Sequence, residues 1–166
     1  MINGILAEIQ KEQREKIALA QKEFAEQNKK YGEAFLAANK AKDGVVVLPS
    51  GLQYKVLREG DGKKPGLDDN VRCNYRGTLL DGSEIDSSYK RNEPSTLPLK
   101  GVIKGWTEVL QLMPVGSKWQ IFVPSELAYG ERGNGRNIGP NATLIFEVEL
   151  LSIQKGGAAA KPKGNF

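Results

Sequence analysis

The sequence predicts an α+β fold, a long amino-terminal helix followed by an antiparallel sheet with one short helix laid across it. Three observations predict this. From Ile2 to about Ala41 there is no proline, and most residues are Ala, Glu, Lys, Gln or Leu, which favour helix. From Val45 the apolar period changes from 3.6 to 2, the spacing of strands with one buried face. Only Gly105 to Met113 returns to helical spacing, with Trp106, Val109, Leu110 and Met113 at i, i+3, i+4 and i+7.

Taken in order, the first element is one helix with a narrow apolar stripe of Ile2, Ile5, Leu6, Ile9, Ile17, Ala20, Phe24, Tyr31 and Phe35. Gln13 and Asn28 interrupt the stripe, and Gly4 and Gly32 are weak breaks. Forty residues at about 1.5 Å each reach about 60 Å, so much of the helix must project from a small domain. A projecting stripe calls for a partner, and the clustering of Ile2 to Ile9 places a homodimer contact at the amino terminus. Tyr31 to Leu36 are expected to pack on the domain; a fully solvated helix is the alternative. Asp43-Gly44 closes the helix. Strands are predicted over Leu52 to Leu57, Val71 to Leu80, Ser117 to Val123 and Ala142 to Ile153. Val71, Cys73, Tyr75, Gly77 and Leu79 share one core face, as do Leu144, Phe146, Val148 and Leu150. Asp81-Gly82 is a turn signal. The resulting division is a helix over 1–44, a domain over 45–153 and a basic tail over 154–166 whose composition disfavours folding.

Composition removes whole classes of function. The chain of 166 residues contains no histidine and one cysteine, Cys73. Serine-histidine and cysteine-histidine catalysis, and zinc sites that use imidazole, are therefore excluded. No internal disulfide forms, and neither metal nor cofactor is expected. The net charge of +4 divides as +1 over 1–44, 0 over 45–153 and +3 in the tail, so no basic patch marks the domain for nucleic acid. No apolar run approaches the ~18 residues of a membrane span. The glycine-rich pieces at 60–66 and 130–135 match no phosphate-binding pattern.

What remains is a set of apolar and aromatic residues in or beside loops: Val102, Ile103 and Trp106 at the start of the short helix, and Leu127, Ala128, Tyr129 and Ile138 before the last strand. They are either ordinary core or the wall of a pocket. One polar residue, Asp86 beside Ile85, favours the pocket, because a few polar groups around aromatic walls describe a site for a small ligand or peptide.

The residues also carry a resemblance. Tyr75-x-Gly77-x3-Asp81-Gly82-x3-Asp86-Ser87-Ser88, Val102-Ile103-x-Gly105-Trp106, Leu127-Ala128-Tyr129-Gly130 and Asn141-Ala142-Thr143-Leu144-x-Phe146-x-Val148-Glu149-Leu150-Leu151 follow in that order. Order and spacing resemble the FKBP-type peptidyl-prolyl cis-trans isomerases. GVVVLPSGLQYKVL, GWTEVLQLMPVGSKW and the preceding helix are similar to the macrophage infectivity potentiator subgroup. The resemblance implies a curved antiparallel sheet of five to six strands wrapped on a short helix, and rotation of X-Pro bonds in protein substrates. It implies a pocket of Tyr75, Ile85, Asp86, Val102, Ile103, Trp106, Tyr129, Ile138 and Phe146, with Trp106 as floor. The Tyr129 hydroxyl and the Ile103 N–H would donate to substrate carbonyls, and Asp86 would be an orienting acceptor. FK506- and rapamycin-type macrolides would bind there as inhibitors.

That chemistry suits a chain without histidine. Amide resonance sets a barrier near ~20 kcal/mol, and rotation over it moves no proton. The family implies two departures: Ile85 stands where many members have phenylalanine, and Ser95 where many have a further rim aromatic, which predicts weaker macrolide and substrate affinity. Ile138-Gly139-Pro140 replaces Ile-Pro-Pro. A second reading is a non-catalytic chaperone or interaction module that holds clients with its helix, and a third is a coiled-coil scaffold bearing an inactive domain. The amino terminus shows no signal-type apolar region, which literally read predicts cytoplasm; the resemblance favours periplasm or cell envelope.

Overall fold

The structure, a computed structural model, describes residues 2–134 and 138–154, with side chains from Gly4 onward. The chain forms helix α1 (Ile2–Asn39), strands β1 (Val45–Val47), β2 (Gln53–Arg58), β3 (Asn70–Leu79), β4 (Glu84–Ser87) and β5 (Ser95–Pro98), helix α2 (Lys104–Leu110), and strands β6 (Lys118–Val123) and β7 (Leu144–Gln154). The described strands make one antiparallel sheet in the order β1-β2-β6-β7-β3-β4, and β5 also pairs with β3. The four strands predicted from periodicity are present with ends shifted by one or two residues. β1, β4 and β5 were not predicted, because three or four residues are too few to display an alternation. They bring the sheet to seven strands, beyond the five to six that the resemblance implies. Gln154 is the last residue of β7 rather than the first of the tail, and residues 155–166 lie outside the described residues.

The alternation of β3 and β7 holds as predicted. Val71, Cys73 and Tyr75 on one strand and Leu144, Phe146, Val148 and Leu150 on the other are fully buried. They face α2, whose Trp106, Val109 and Leu110 are also fully buried. Gly105 permits this approach, since a Cβ there would stand 2.7 Å from Val123 Cγ1 and 3.1 Å from Leu52 Cδ1. α2 ends at Leu110, a turn earlier than predicted, yet Met113 keeps its place in the core.

α1 lies against the other face of the sheet. Phe35 meets Phe122 with ring centroids 5.8 Å apart. Gln53 Nε2 donates to the Leu36 carbonyl at 2.9 Å, and Asn39 Nδ2 donates to Gln53 Oε1 at 2.8 Å. The docking stripe is Ala25, Asn28, Gly32, Phe35, Leu36 and Asn39, all at least partly buried and spaced by threes and fours. This corrects the sequence reading twice. Tyr31, expected on the domain, is 68% exposed. Asn28 and Gly32, expected as interruptions, are the contact residues. A Cβ on Gly32 would collide with the Thr143 hydroxyl, so the helix approaches only because glycine stands there. Ahead of this stripe the helix projects, with Ile5, Leu6, Ile9 and Ile17 exposed. The side chain of Ile2 lies outside the described residues.

Candidate functional site

The floor of the site follows from the alternation of β3 and β7 and from the first turn of α2. Tyr75 and Phe146 each meet Trp106 edge to face, with centroids 5.1 Å apart and interplanar angles of 86° and 85°. Such T-shaped pairs place a positive ring edge against a negative face, and they hold the indole in one orientation. Gly77 makes the arrangement possible. A Cβ there would stand 2.5 Å from Phe146 Cε1 and 3.1 Å from Ile85 Cγ1.

The polar edge is produced by an irregularity. Between β3 and β4 the pairing runs Gly77 with Asp86 and then Thr78 with Glu84, which leaves Ile85 as the extra residue of a bulge. Bulges re-aim side chains. Here consecutive residues Ile85 and Asp86 both reach the α2 side of the sheet: Ile85 is buried beside Gly77, and Asp86 reaches Tyr75. Asp86 Oδ2 accepts from the Tyr75 hydroxyl at 2.7 Å, and Oδ1 accepts from Arg91 Nη1 at 2.7 Å and from the Ser87 N–H at 2.8 Å. Arg91 Nη2 also donates to the Tyr75 oxygen at 2.8 Å and to Ser95 Oγ at 3.0 Å. Burial alone would push the Asp86 carboxyl up. Tyr75, Arg91 and the Ser87 N–H overcome that and hold it below the ordinary carboxylate value, so it is charged at neutral pH.

Around this core stand the remaining predicted residues. Tyr129 is half-buried, and burial followed by the negative charge of Asp86 pushes its hydroxyl up to about 12, which keeps it protonated and a donor. Ile103 precedes the first turn of α2 with extended backbone geometry, so its N–H lies outside the helix ladder. It donates to no backbone carbonyl among the described residues. Val102 is half-buried beside it, and Ile138 is buried, its N–H and carbonyl both bonded to Asn134.

Two findings add to the sequence reading. Ser95, where many family members have a rim aromatic, is 1% exposed on β5 and accepts from Arg91. Arg91 was missed, although it fixes Asp86. An arginine five residues after an aspartate matches no helix or strand spacing, and only the short turn Tyr89–Arg91, closed by Asn92 with φ 55°, brings the two together. Among the described residues no cluster of three or more His, Cys, Asp or Glu is placed to hold a metal ion. An apolar cleft of about 480 Å³ lies apart from these residues, between α1 and the sheet, lined by Phe24, Tyr31, Phe35, Leu79, Leu80 and Ala142 among others.

Known proteins resemble this chain in sequence and in fold. The pattern of the FKBP-type peptidyl-prolyl cis-trans isomerase matches residues 61–151, and that of the domain amino terminal to it matches residues 1–56. The chain is 52% identical over 154 residues to the outer membrane protein MIP of Legionella longbeachae, covering 93% of this chain and 66% of that protein. It is 55% identical over 128 residues to the peptidyl-prolyl cis-trans isomerase Mip of Coxiella burnetii, covering 77% and 56%. The crystal structure of FkpA from Escherichia coli superposes with a TM-score of 0.89 at 37% identity, covering 94% of this chain and 73% of that one. The chain spans about half to two thirds of the length of curated relatives such as these. With a family pattern over more than half of the chain, relatives at about half identity and a matching fold in agreement, the chain belongs to the FKBP-type peptidyl-prolyl cis-trans isomerase family.

Proposed function

We propose that the chain catalyses cis-trans rotation of X-Pro bonds in polypeptides, at the pocket floored by Trp106. The observation that carries this reading is the pairing of an apolar aromatic box with polar groups whose charge states are fixed at neutral pH, one an ionised acceptor and one a neutral donor. Trp106, Tyr75 and Phe146 exclude water, Asp86 stays charged, and Tyr129 stays neutral. Planar amides carry more charge separation than twisted ones, so a dry pocket lowers the barrier to rotation while hydrogen bonds hold the peptide. Tyr129 Oη and the Ile103 N–H are the donors to substrate carbonyls, Asp86 orients, and Val102, Ile85 and Ile138 form the walls. Macrolides of the FK506 and rapamycin type occupy the same pocket. A protease-coupled assay on a short X-Pro peptide tests the reading: the rate of cis disappearance rises in proportion to protein concentration, and an unchanged rate would overturn it.

A second role is supported by the exposed Ile5, Leu6, Ile9 and Ile17. Such a stripe on a projecting helix fits a second copy of this chain, and a pair of these helices would form an arm able to hold unfolded clients. The helix over 1–44 and the domain that follows from 45 then separate association from catalysis. We place the protein in the periplasm or cell envelope, in keeping with a relative named as an outer membrane protein; among the described residues no helix is long and apolar enough to cross a membrane. Cell fractionation tests the compartment.

A further inference from the structure

α1 reaches the rim of the pocket as well as the back of the sheet. Asn28 Nδ2 donates to the Pro140 carbonyl at 2.9 Å, and Asn141 Nδ2 donates to the Ala25 carbonyl at 3.1 Å. The two amides thus cross between the same helix turn and the same loop in opposite directions. Gly139 lies so close to Phe24 that a Cβ would stand 2.7 Å from its Cε1. Asn141 adopts a left-handed φ of 55°, rare outside glycine, and its N–H closes the loop by donating to the Gly130 carbonyl at 2.8 Å. Gly130 follows Tyr129, and Gly139 follows Ile138. The segment stapled to α1 is therefore one residue away from each of two pocket residues.

We propose that α1 positions the pocket rim through Asn28 and Asn141, so that the amino-terminal helix sets how well Ile138 and Tyr129 grip the substrate. Neither asparagine touches the peptide; both are positioning residues. The physical ground is the sensitivity of a site to displacement of its binding groups. The loop forms no strand ladder between Gly133 and Ala142 among the described residues, so the bonds between Asn134 and Ile138 within it and the side-chain bonds to α1 hold it together. The inference rests on the isomerase reading of this pocket.

The test uses the full chain and changes one side of each staple. Asn28→Asp removes the donor and leaves the size nearly unchanged, and Asn141→Gly removes the amide while tolerating the left-handed φ. Each is expected to lower kcat/KM on an X-Pro peptide by about three- to tenfold, mainly through KM, with the thermal midpoint within a few degrees of wild type. The amide resonances of Tyr129 and Ile138 are expected to shift in both variants. In an Ile138→Ala background the Asn28→Asp effect shrinks, because the residue it acts through is gone. Wild-type kcat/KM in both single variants, or an Asn28→Asp effect fully additive with Ile138→Ala, would overturn the proposal. An inactive wild-type chain would instead overturn the isomerase reading, which separates the two failures.

Discussion

At the scale of single residues, the site is defined by which groups are kept charged and which are kept neutral. Asp86 is held ionised by Tyr75, Arg91 and the Ser87 N–H against its own burial. Its folded value lies below 3.8, so its contribution to stability is present above that pH and is lost as pH falls through the folded value. Acid unfolding followed by circular dichroism should therefore begin below pH ~4 in the wild type, and Asp86→Asn should flatten that limb. Activity should be level from pH ~5 to ~9, since neither Asp86 nor Tyr129 titrates there. Asp86→Leu also removes the charge partner of Arg91, and kcat/KM should fall about ten- to hundredfold, whereas Tyr129→Phe deletes one donor and should cost about three- to tenfold. Cys73 is fully buried, and burial pushes its thiol up to about 12. It should ignore a disulfide reagent in the folded protein and react with one equivalent after denaturation.

At the scale of elements, glycine decides which pieces touch. Gly77 lets β3 lie over Phe146, Gly105 lets α2 lie against β6, and Gly32 lets α1 lie against Thr143. Away from contacts, replacing a helical glycine stabilises by up to about 1 kcal/mol. Gly32→Leu should do the opposite and destabilise by about 1–3 kcal/mol, read by urea unfolding, because the side chain forces the helix off the sheet. The same residues explain what was legible in the sequence. Long strands with one buried face announced themselves by period, and the apolar pocket residues by their place in known motifs. Gly32 and Asn28 read as flaws in an apolar stripe because contact by close approach and by side-chain hydrogen bond leaves no hydrophobic signal. Arg91 was invisible for a related reason: a turn, and not a periodic element, delivers it to Asp86. Ser95 stands where many family members have a rim aromatic, and its burial on β5 was not legible in a strand of four residues.

At the scale of the whole molecule, one helix joins two faces of the design. Its carboxy-terminal part is fastened to the sheet by Phe35, Leu36 and Asn39, its middle to the pocket loop by Asn28, and its amino-terminal part carries apolar side chains into solvent. Sedimentation should find a dimer at tens of micromolar, and Ile5→Glu with Ile9→Glu should give a monomer that still turns over short peptides. The central claim, however, concerns the pocket. Exchange NMR on a short X-Pro peptide reads the bond rotation itself, without an auxiliary protease. With a catalytic amount of the chain, cis-trans exchange should accelerate from its uncatalysed time of about 10–100 s into the range of cross-peaks, and Asp86→Leu should slow it markedly. An exchange rate equal to that of the peptide alone would contradict the account.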